Sequence, residues 1–382
     1  METAGLKVVN VSLRVQTRGG IETLLALNRT LPFSQMFVAV FDRAPESRPD
    51  YHNLNVNGRT TLGAIRRKFA AALAPYAGSV VVYHNAWALP LLHQGDAAAR
   101  RLAFLYAMPD FHAREVAACA GLIDGGLGIS PGFSASLLRM APELGGGRTV
   151  DLPLPIEVPA ELGSRRGGGE IVLGYSGRIE RLHKRLDRLP DFLHALDATG
   201  LRYRFEVLGE GTLRPELERR LGDRVRFHGW ADKADFWRIL GGWDGIVFFT
   251  EVEGGPIAML EGMRAGVIPF FPRIGGSAGD FYAPQVDPLC HYPRGDIAAL
   301  AASVHRIFTQ HEGRLAELRA RAEALVAHHT AEGYRAVLTD YLARASVLPR
   351  IGAPGAPMRR RWSDGLPYGL VKRLAPWLLW QH

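Results

Sequence analysis

The chain has 382 residues, beyond the ~250 to 300 at which a single hydrophobic core stops growing, so two domains are expected. Its 47% hydrophobic and 22% charged residues exclude a disordered or fibrous chain, and two cysteines far apart, Cys119 and Cys290, offer neither a disulfide framework nor a zinc-ligand pairing. The formal charge of +8 is uneven: Arg350, Arg359, Arg360, Arg361, Lys372 and Arg373 against Asp364 give the segment from Val347 to His382 +5 of it, leaving a body too mildly basic for a nucleic-acid partner.

In chain order, Leu6 to Leu13 reads as a strand, followed by a loop Arg14 to Gly20 and a helix from Ile21 to about Asn28. The acid at position 2 and the shortness of this apolar segment argue against a signal peptide, and no stretch approaches the ~18 apolar residues that span a bilayer; a cytoplasmic protein, or one peripheral on the inner face of a membrane, is the expectation. Strands are predicted at Gln35 to Phe41, Ser79 to Tyr83 and Leu102 to Leu105, with Thr60 to Leu73 helical and Gly121 to Ser130 closing the block. Pro153, Pro155, Pro159 and the run Gly163 to Gly169 have linker composition, giving domains of 1–158 and 159–345 with a Trp-rich basic tail over 346–382.

The second block has clearer punctuation. Ile171 to Ser176, Arg202 to Leu208 and Arg224 to Phe227 read as strands ending in Gly177-Arg178, Gly209-Glu-Gly211 and Gly229, with Leu186 to Leu196 helical between the first two. Gly245 to Phe249 is a buried parallel strand, Pro256 a good first helical residue, Gly266 a helix stop, and Val267 to Phe271 the next strand. Asp296 to Phe308 and Arg314 to His328 are helical. Alternating strand and helix implies parallel sheets, hence an α/β protein with ligands outside the carboxyl ends of strands.

Three polar groups fall at such ends, and a fourth, Glu261, projects from the helix that follows. Arg178 can fork two phosphate oxygens, and Lys184, six residues on, supplies a compact charge. Glu253 and Glu261, eight residues apart, bracket Gly254-Gly255 and a helix start. Each carboxylate can accept two hydrogen bonds from a vicinal diol, while the glycine amides meet an anion. Glu251 is an equally eligible carboxylate by position. Solvated loops and plain turns would produce any of these features singly, and Gly209-Glu-Gly211-Thr-Leu-Arg214 lacks the third glycine of a dinucleotide fingerprint.

Together these segments resemble the retaining GT-B glycosyltransferases of the family called group 1 or family 4. The likeness rests on Gly-Arg-x5-Lys (Gly177, Arg178, Lys184), Val-Leu-Gly-x-Gly (Val207 to Gly211), Val-x-Phe-x-Gly (Val225, Phe227, Gly229) and Glu-x7-Glu (Glu253, Glu261), with Gly19, Gly20 and Glu22 and Asp124-Gly-x4-Ile-Ser130 in the first block. It implies two Rossmann-like domains facing a cleft and a hexosyltransferase that uses a nucleotide diphosphate sugar, acts on a saccharide, lipid-linked or small-molecule hydroxyl, and needs no metal or other cofactor. By the same likeness Arg178 and Lys184 hold the diphosphate, Glu261 the ribose, and Glu253 the transferred sugar, with Gly19, Gly20, Gly209, Gly229, Gly254 and Gly255 as donor-binding backbone. A histidine common near the reacting face is replaced here by Tyr106, leaving Tyr106, His84 or His112 for the acceptor side. A glutamate expected three residues after Gly275-Gly276 is replaced by Gly279 and Asp280. A nucleotide-sugar epimerase and an inactive donor-binding scaffold are the competing readings. The tail, with Arg359-Arg-Arg-Trp362, Tyr368, Trp377 and Trp380, suits either peripheral contact with an anionic membrane or a strap across the first domain.

Overall fold

A computed structural model describes residues 5–13, 20–41, 49–85, 89–92, 100–106, 116–117, 119–159, 170–310, 312–351 and 361–374. They form two compact units, 1–152 with 332–382, and 153–331.

The first unit contains β1 (Lys7–Ser12), α1 (Gly20–Asn28), β2 (Ser34–Ala39), β3 (Tyr51–Asn53), α2 (Leu62–Leu73), β4 (Val80–His84), α3 (Leu89–Leu92), β5 (Arg100–Leu105), β6 (Gly125–Gly128), α4 (Phe133–Met140) and β7 (Thr149–Asp151). The strands pair in parallel in the order β3-β2-β1-β4-β5-β6-β7, so the winding reverses between β1 and β4. Strand β4 is buried along its whole length, as expected where both faces of a parallel sheet are covered. Short β3 and β7 escape the sequence reading because three residues carry too little periodicity.

The second unit contains β8 (Ile171–Ser176), α5 (Leu189–Asp197), β9 (Tyr203–Leu208), α6 (Arg214–Leu221), β10 (Val225–Gly229), α7 (Lys233–Leu240), β11 (Gly245–Val247), α8 (Ile257–Arg264), β12 (Ile268–Arg273), α9 (Ala278–Val286), β13 (His291–Pro293), α10 (Ile297–Gln310) and α11 (Leu315–Leu325). Its sheet is parallel in the order β10-β9-β8-β11-β12-β13 and reverses between β8 and β11. The expected strands recur within a few residues; α8 opens at Ile257, with Pro256 as its cap rather than its first helical residue.

The sequence bounds of 159–345 assign to the second domain most of the stretch that forms helix α12 (Ala331–Val347). It belongs, from Glu332 on, to the first unit. The reason is physical: buried Tyr334 donates to Asn28 Oδ1 at 2.8 Å and buried Tyr341 donates to the Arg148 carbonyl, both partners lying in the first unit. The tail also returns to that unit. Arg66 of α2, with no exposed side-chain surface, meets both Asp364 oxygens at 2.8 and 3.0 Å. The Leu366 carbonyl accepts from Leu62 N–H, while Tyr368 and Gly369 donate to the Thr60 and Gly58 carbonyls. The short helix α13 (Tyr368–Leu374) then buries Val371 in the core. Among the described residues, no helix is long and apolar enough to cross a membrane.

Candidate functional site

In an open parallel sheet the ligand crevice lies where the winding reverses, because the flanking connections leave on opposite faces and part there. In the second unit that point separates the loop after β8, which carries Arg178 and Lys184, from the loop after β11, which carries Glu251 and Glu253. Lys184 Nζ forms an ion pair with Glu253 Oε2, and both side chains are largely buried. Thus the residues assigned to the diphosphate and to the transferred sugar meet across the switch point.

Backbone contacts hold the two loops together. Glu251 N–H and the Thr250 hydroxyl both donate to the His183 carbonyl, at 2.8 and 3.0 Å. Glu251 itself is committed to cations: Arg188 touches one carboxylate oxygen, Arg185 approaches the same oxygen at 3.3 Å, and Arg294 reaches the other at 3.5 Å. That ring of arginines separates Glu251 from Glu253, the acid that the eight-residue spacing and the glycine turn already single out in the sequence. Arg178 is 60% exposed and pairs with Glu180 at 2.8 Å, so its guanidinium stands at the solvent edge of the β8 end.

The glycines in this region permit close backbone approach. Gly209 has φ +136°, and a Cβ there would lie 2.0 Å from the Gly177 carbonyl oxygen; a Cβ on Gly211 would lie 2.2 Å from the Ile179 carbonyl. Gly177 N–H donates to the Leu208 carbonyl and Gly209 N–H to the Gly229 carbonyl, which laces the ends of β8, β9 and β10 together. Gly209 and Gly229 therefore shape the rim whatever they touch beyond it. The Gly254 carbonyl accepts from Ala278 N–H at 2.9 Å and the Ser277 hydroxyl at 3.0 Å, fixing the glycine turn to the β12–α9 loop. Among the described residues, the amides of Gly254 and Gly255 have no acceptor within the protein.

Glu261 sits half-buried in the second turn of α8. Desolvation pushes its carboxyl up to about 8, the charge of Lys233 at the start of α7 opposing the rise. A carboxyl held protonated at neutral pH is ready to be ionised by a ligand that donates hydrogen bonds to it. At the position of the expected glutamate after Gly275-Gly276, a Cβ on Gly279 would lie 2.4 Å from the Phe271 ring. Asp280 closes a capping box with Ser277, accepts from Ile274 N–H at 3.0 Å and contacts His291, so it serves the start of α9.

In the first unit the winding reverses between β1 and β4. There His84 ends β4, buried and held far below the usual histidine range at about 3 by desolvation. Its Nε2 lies 3.1 Å from Asn10 Oδ1, which can only accept, so Nε2 carries the proton and Nδ1 accepts from the Tyr106 hydroxyl at 2.5 Å. Asn10 in turn donates to Gln35, Gln35 to the Asn28 carbonyl, and Tyr334 to Asn28 Oδ1. Sequence reading offered His84 and Tyr106 as alternatives; they are one hydrogen-bonded pair, with Tyr106 as donor to His84. The buried polar chain behind them was missed, and Asn10, set among Val8, Val9 and Val11 of β1, is the signal that could have disclosed it. Gly20 opens α1. Gly19 and His112 lie outside the described residues.

Residues 170–310 match the family described as "Glycosyl transferases group 1". Among solved structures, the lipopolysaccharide outer core galactosyltransferase WaaB superposes with a TM-score of 0.68 at 15% identity, over 89% of this chain and 99% of that one. Anabaena HepE, solved with UDP and glucose, gives 0.66 at 12% identity over 89% and 100%. TarM gives 0.57 at 14% identity over 73% of this chain, which spans only 58% of TarM. No curated protein matches. The two parallel-sheet α/β units have the GT-B fold, and the family match lies within the second unit.

Proposed function

We propose that the protein moves a hexose from a nucleotide diphosphate sugar to a hydroxyl of a glycan, lipid-linked saccharide or small molecule, with retention at the anomeric carbon and without a metal. The observation that carries the reading is the Lys184–Glu253 pair at the β8/β11 switch point, with Arg178 on the same loop. In the unliganded pair Lys184 and Glu253 neutralise each other. An entering diphosphate competes for Lys184 and frees Glu253 for sugar hydroxyls, so the pair acts as a counter-ion store that the donor opens. Arg178 and Lys184 then neutralise the charge that builds on the leaving phosphate as its bond to the sugar breaks. The acceptor oxygen forms the new bond to that carbon from the same face, and its proton passes to the departing phosphate oxygen. Glu261 accepts hydrogen bonds from the ribose diol, and the free amides of Gly254 and Gly255 meet donor oxygens. Support for a nucleotide-sugar donor also comes from the solved neighbours, HepE among them, that hold UDP and a sugar.

Product analysis with UDP-, GDP- and ADP-sugars tests this. Free nucleotide released only when acceptor is present supports transfer. An altered sugar nucleotide without acceptor means epimerisation, and binding without turnover means a scaffold. A donor at 100 times its dissociation constant adds ~2.7 kcal/mol of stability. That thermal shift is expected to vanish in Lys184→Ala and Glu261→Ala, and an undiminished shift in both removes the site assignment.

A further inference from the structure

The strap formed by residues 361–374 has two sides with different chemistry. The inner side is consumed by the first unit: Asp364 by Arg66, Leu366 and Tyr368 against the core, and Val371 within it. The outer side carries Trp362, Leu370 and Leu374, 72%, 48% and 76% exposed. These are three of the seven exposed large apolar side chains among the described residues, concentrated in fourteen positions. Leu370 and Leu374 stand one helical turn apart on α13, and Leu374 lies one turn beyond buried Val371. Exposed Lys372 and Arg373 lie on the same helix, and exposed Arg59 lies between Gly58 and Thr60, whose carbonyls accept from Gly369 and Tyr368. The only acid of the strap, Asp364, is already neutralised by Arg66.

We infer that this outer face docks on an anionic lipid surface, with Trp362, Leu370 and Leu374 entering the headgroup region and Arg59, Lys372 and Arg373 meeting lipid phosphates. Two physical points favour lipid over a protein partner. Three apolar side chains fall far short of the ~800 Å² per partner of a stable protein interface. A shallow interfacial seat, in contrast, needs only a few apolar anchors, and each cation beside an anionic leaflet adds to it. The buried Arg66–Asp364 pair and the backbone bonds to 58–62 make the strap a firm base, so docking orders little chain. The inference is independent of the sugar-transfer reading, because it concerns a face whose occupancy is measured with neither donor nor acceptor.

Sedimentation of the full chain with neutral phosphatidylcholine vesicles, and with vesicles containing phosphatidylglycerol, tests it. At least tenfold stronger partitioning to the anionic vesicles is expected, falling at least tenfold in Leu370→Ser/Leu374→Ser and in Lys372→Gln/Arg373→Gln, with the unfolding temperature unchanged. Because Cys119 and Cys290 are buried, Leu370→Cys gives one reactive thiol on this face, and an environment-sensitive label there should shift to the blue on anionic vesicles only. Equal binding to both vesicle types, binding unaffected by either double substitution, or an unmoved label overturns the inference. So does concentration-dependent dimerisation that Leu370→Ser/Leu374→Ser abolishes, which assigns the face to a second copy.

Discussion

Donor binding is expected to expel a proton from Glu261. In the unliganded protein desolvation holds this carboxyl at about 8, so at pH 7 it is about 0.9 protonated. A ribose diol donating two hydrogen bonds favours the charged form and returns the group toward the ordinary carboxylate range. Binding then releases about 0.9 proton at pH 7 and about 0.1 at pH 9. Because ionisation has to precede or accompany binding, affinity rises about 50-fold, or about 2.3 kcal/mol, between pH 6 and pH 8, and levels off above that. A nucleotide diphosphate sugar suits the measurement because its phosphates do not titrate in this range. Titration calorimetry in buffers of different ionisation enthalpy reads the proton count directly, and Glu261→Gln should bind more weakly with a flat pH dependence. The same shift has a stability consequence. The folded value lies above the unfolded one, so the folded state keeps a proton that the unfolded chain has lost, and stability falls as pH rises from about 4.5 to 8. Glu261→Gln should therefore gain stability relative to the parent across that window and match it below. Enthalpies independent of buffer at pH 7, or a Gln variant that keeps the pH slope, would refute the argument.

Three further outcomes follow from particular contacts. Asp364→Ala removes the carboxylate that meets the buried Arg66 guanidinium at 2.8 and 3.0 Å, and should cost about 1 to 3 kcal/mol and expose the strap to limited proteolysis; an unchanged denaturation midpoint refutes this. Gly209→Ala forces a methyl group onto the Gly177 carbonyl at a φ unsuited to L-residues, and is expected to cost about 2 to 3 kcal/mol and weaken donor binding, both visible in a thermal shift with and without donor. His84 should stay neutral with the proton on Nε2 throughout pH 5 to 8, as read by nitrogen chemical shifts; an imidazolium signal at pH 6 would contradict its desolvation. In Tyr106→Phe the lost hydrogen bond leaves Nδ1 unsatisfied and costs about 1 to 3 kcal/mol.

The second unit was more legible in the sequence than the first because its strand ends carry strong local signals. Gly177, Gly209 and Gly229 punctuate strands whose apolar runs are long enough to recognise, and the Lys184 and Glu253 loops follow directly. The first unit hides β3 and β7 in three-residue pieces, and the ownership of α12 depends on Tyr334 and Tyr341 finding partners some two to three hundred positions away. No local pattern contains such information. The tail shows the same limit from another side: its basic and aromatic composition is plain in the sequence, but which half of it faces outward is decided by Arg66 and Val371.

Glu251 and Glu253 show why spacing needs geometry beside it. Both are carboxylates on the β11 loop, and both contact cations of the loop after β8. The number and type of those cations distinguish them. Glu251 faces Arg185 and Arg188 of that loop and also Arg294 just after β13, whose planar forks hold it in a fixed network that a ligand would have to dismantle. Glu253 faces one lysine, a single point charge on a flexible stem, and a diphosphate can draw that charge away while leaving the loop intact. An exchangeable counter-ion beside glycine amides that have no acceptor within the protein is what the proposed donor site requires, and of these two acids Glu253 has it.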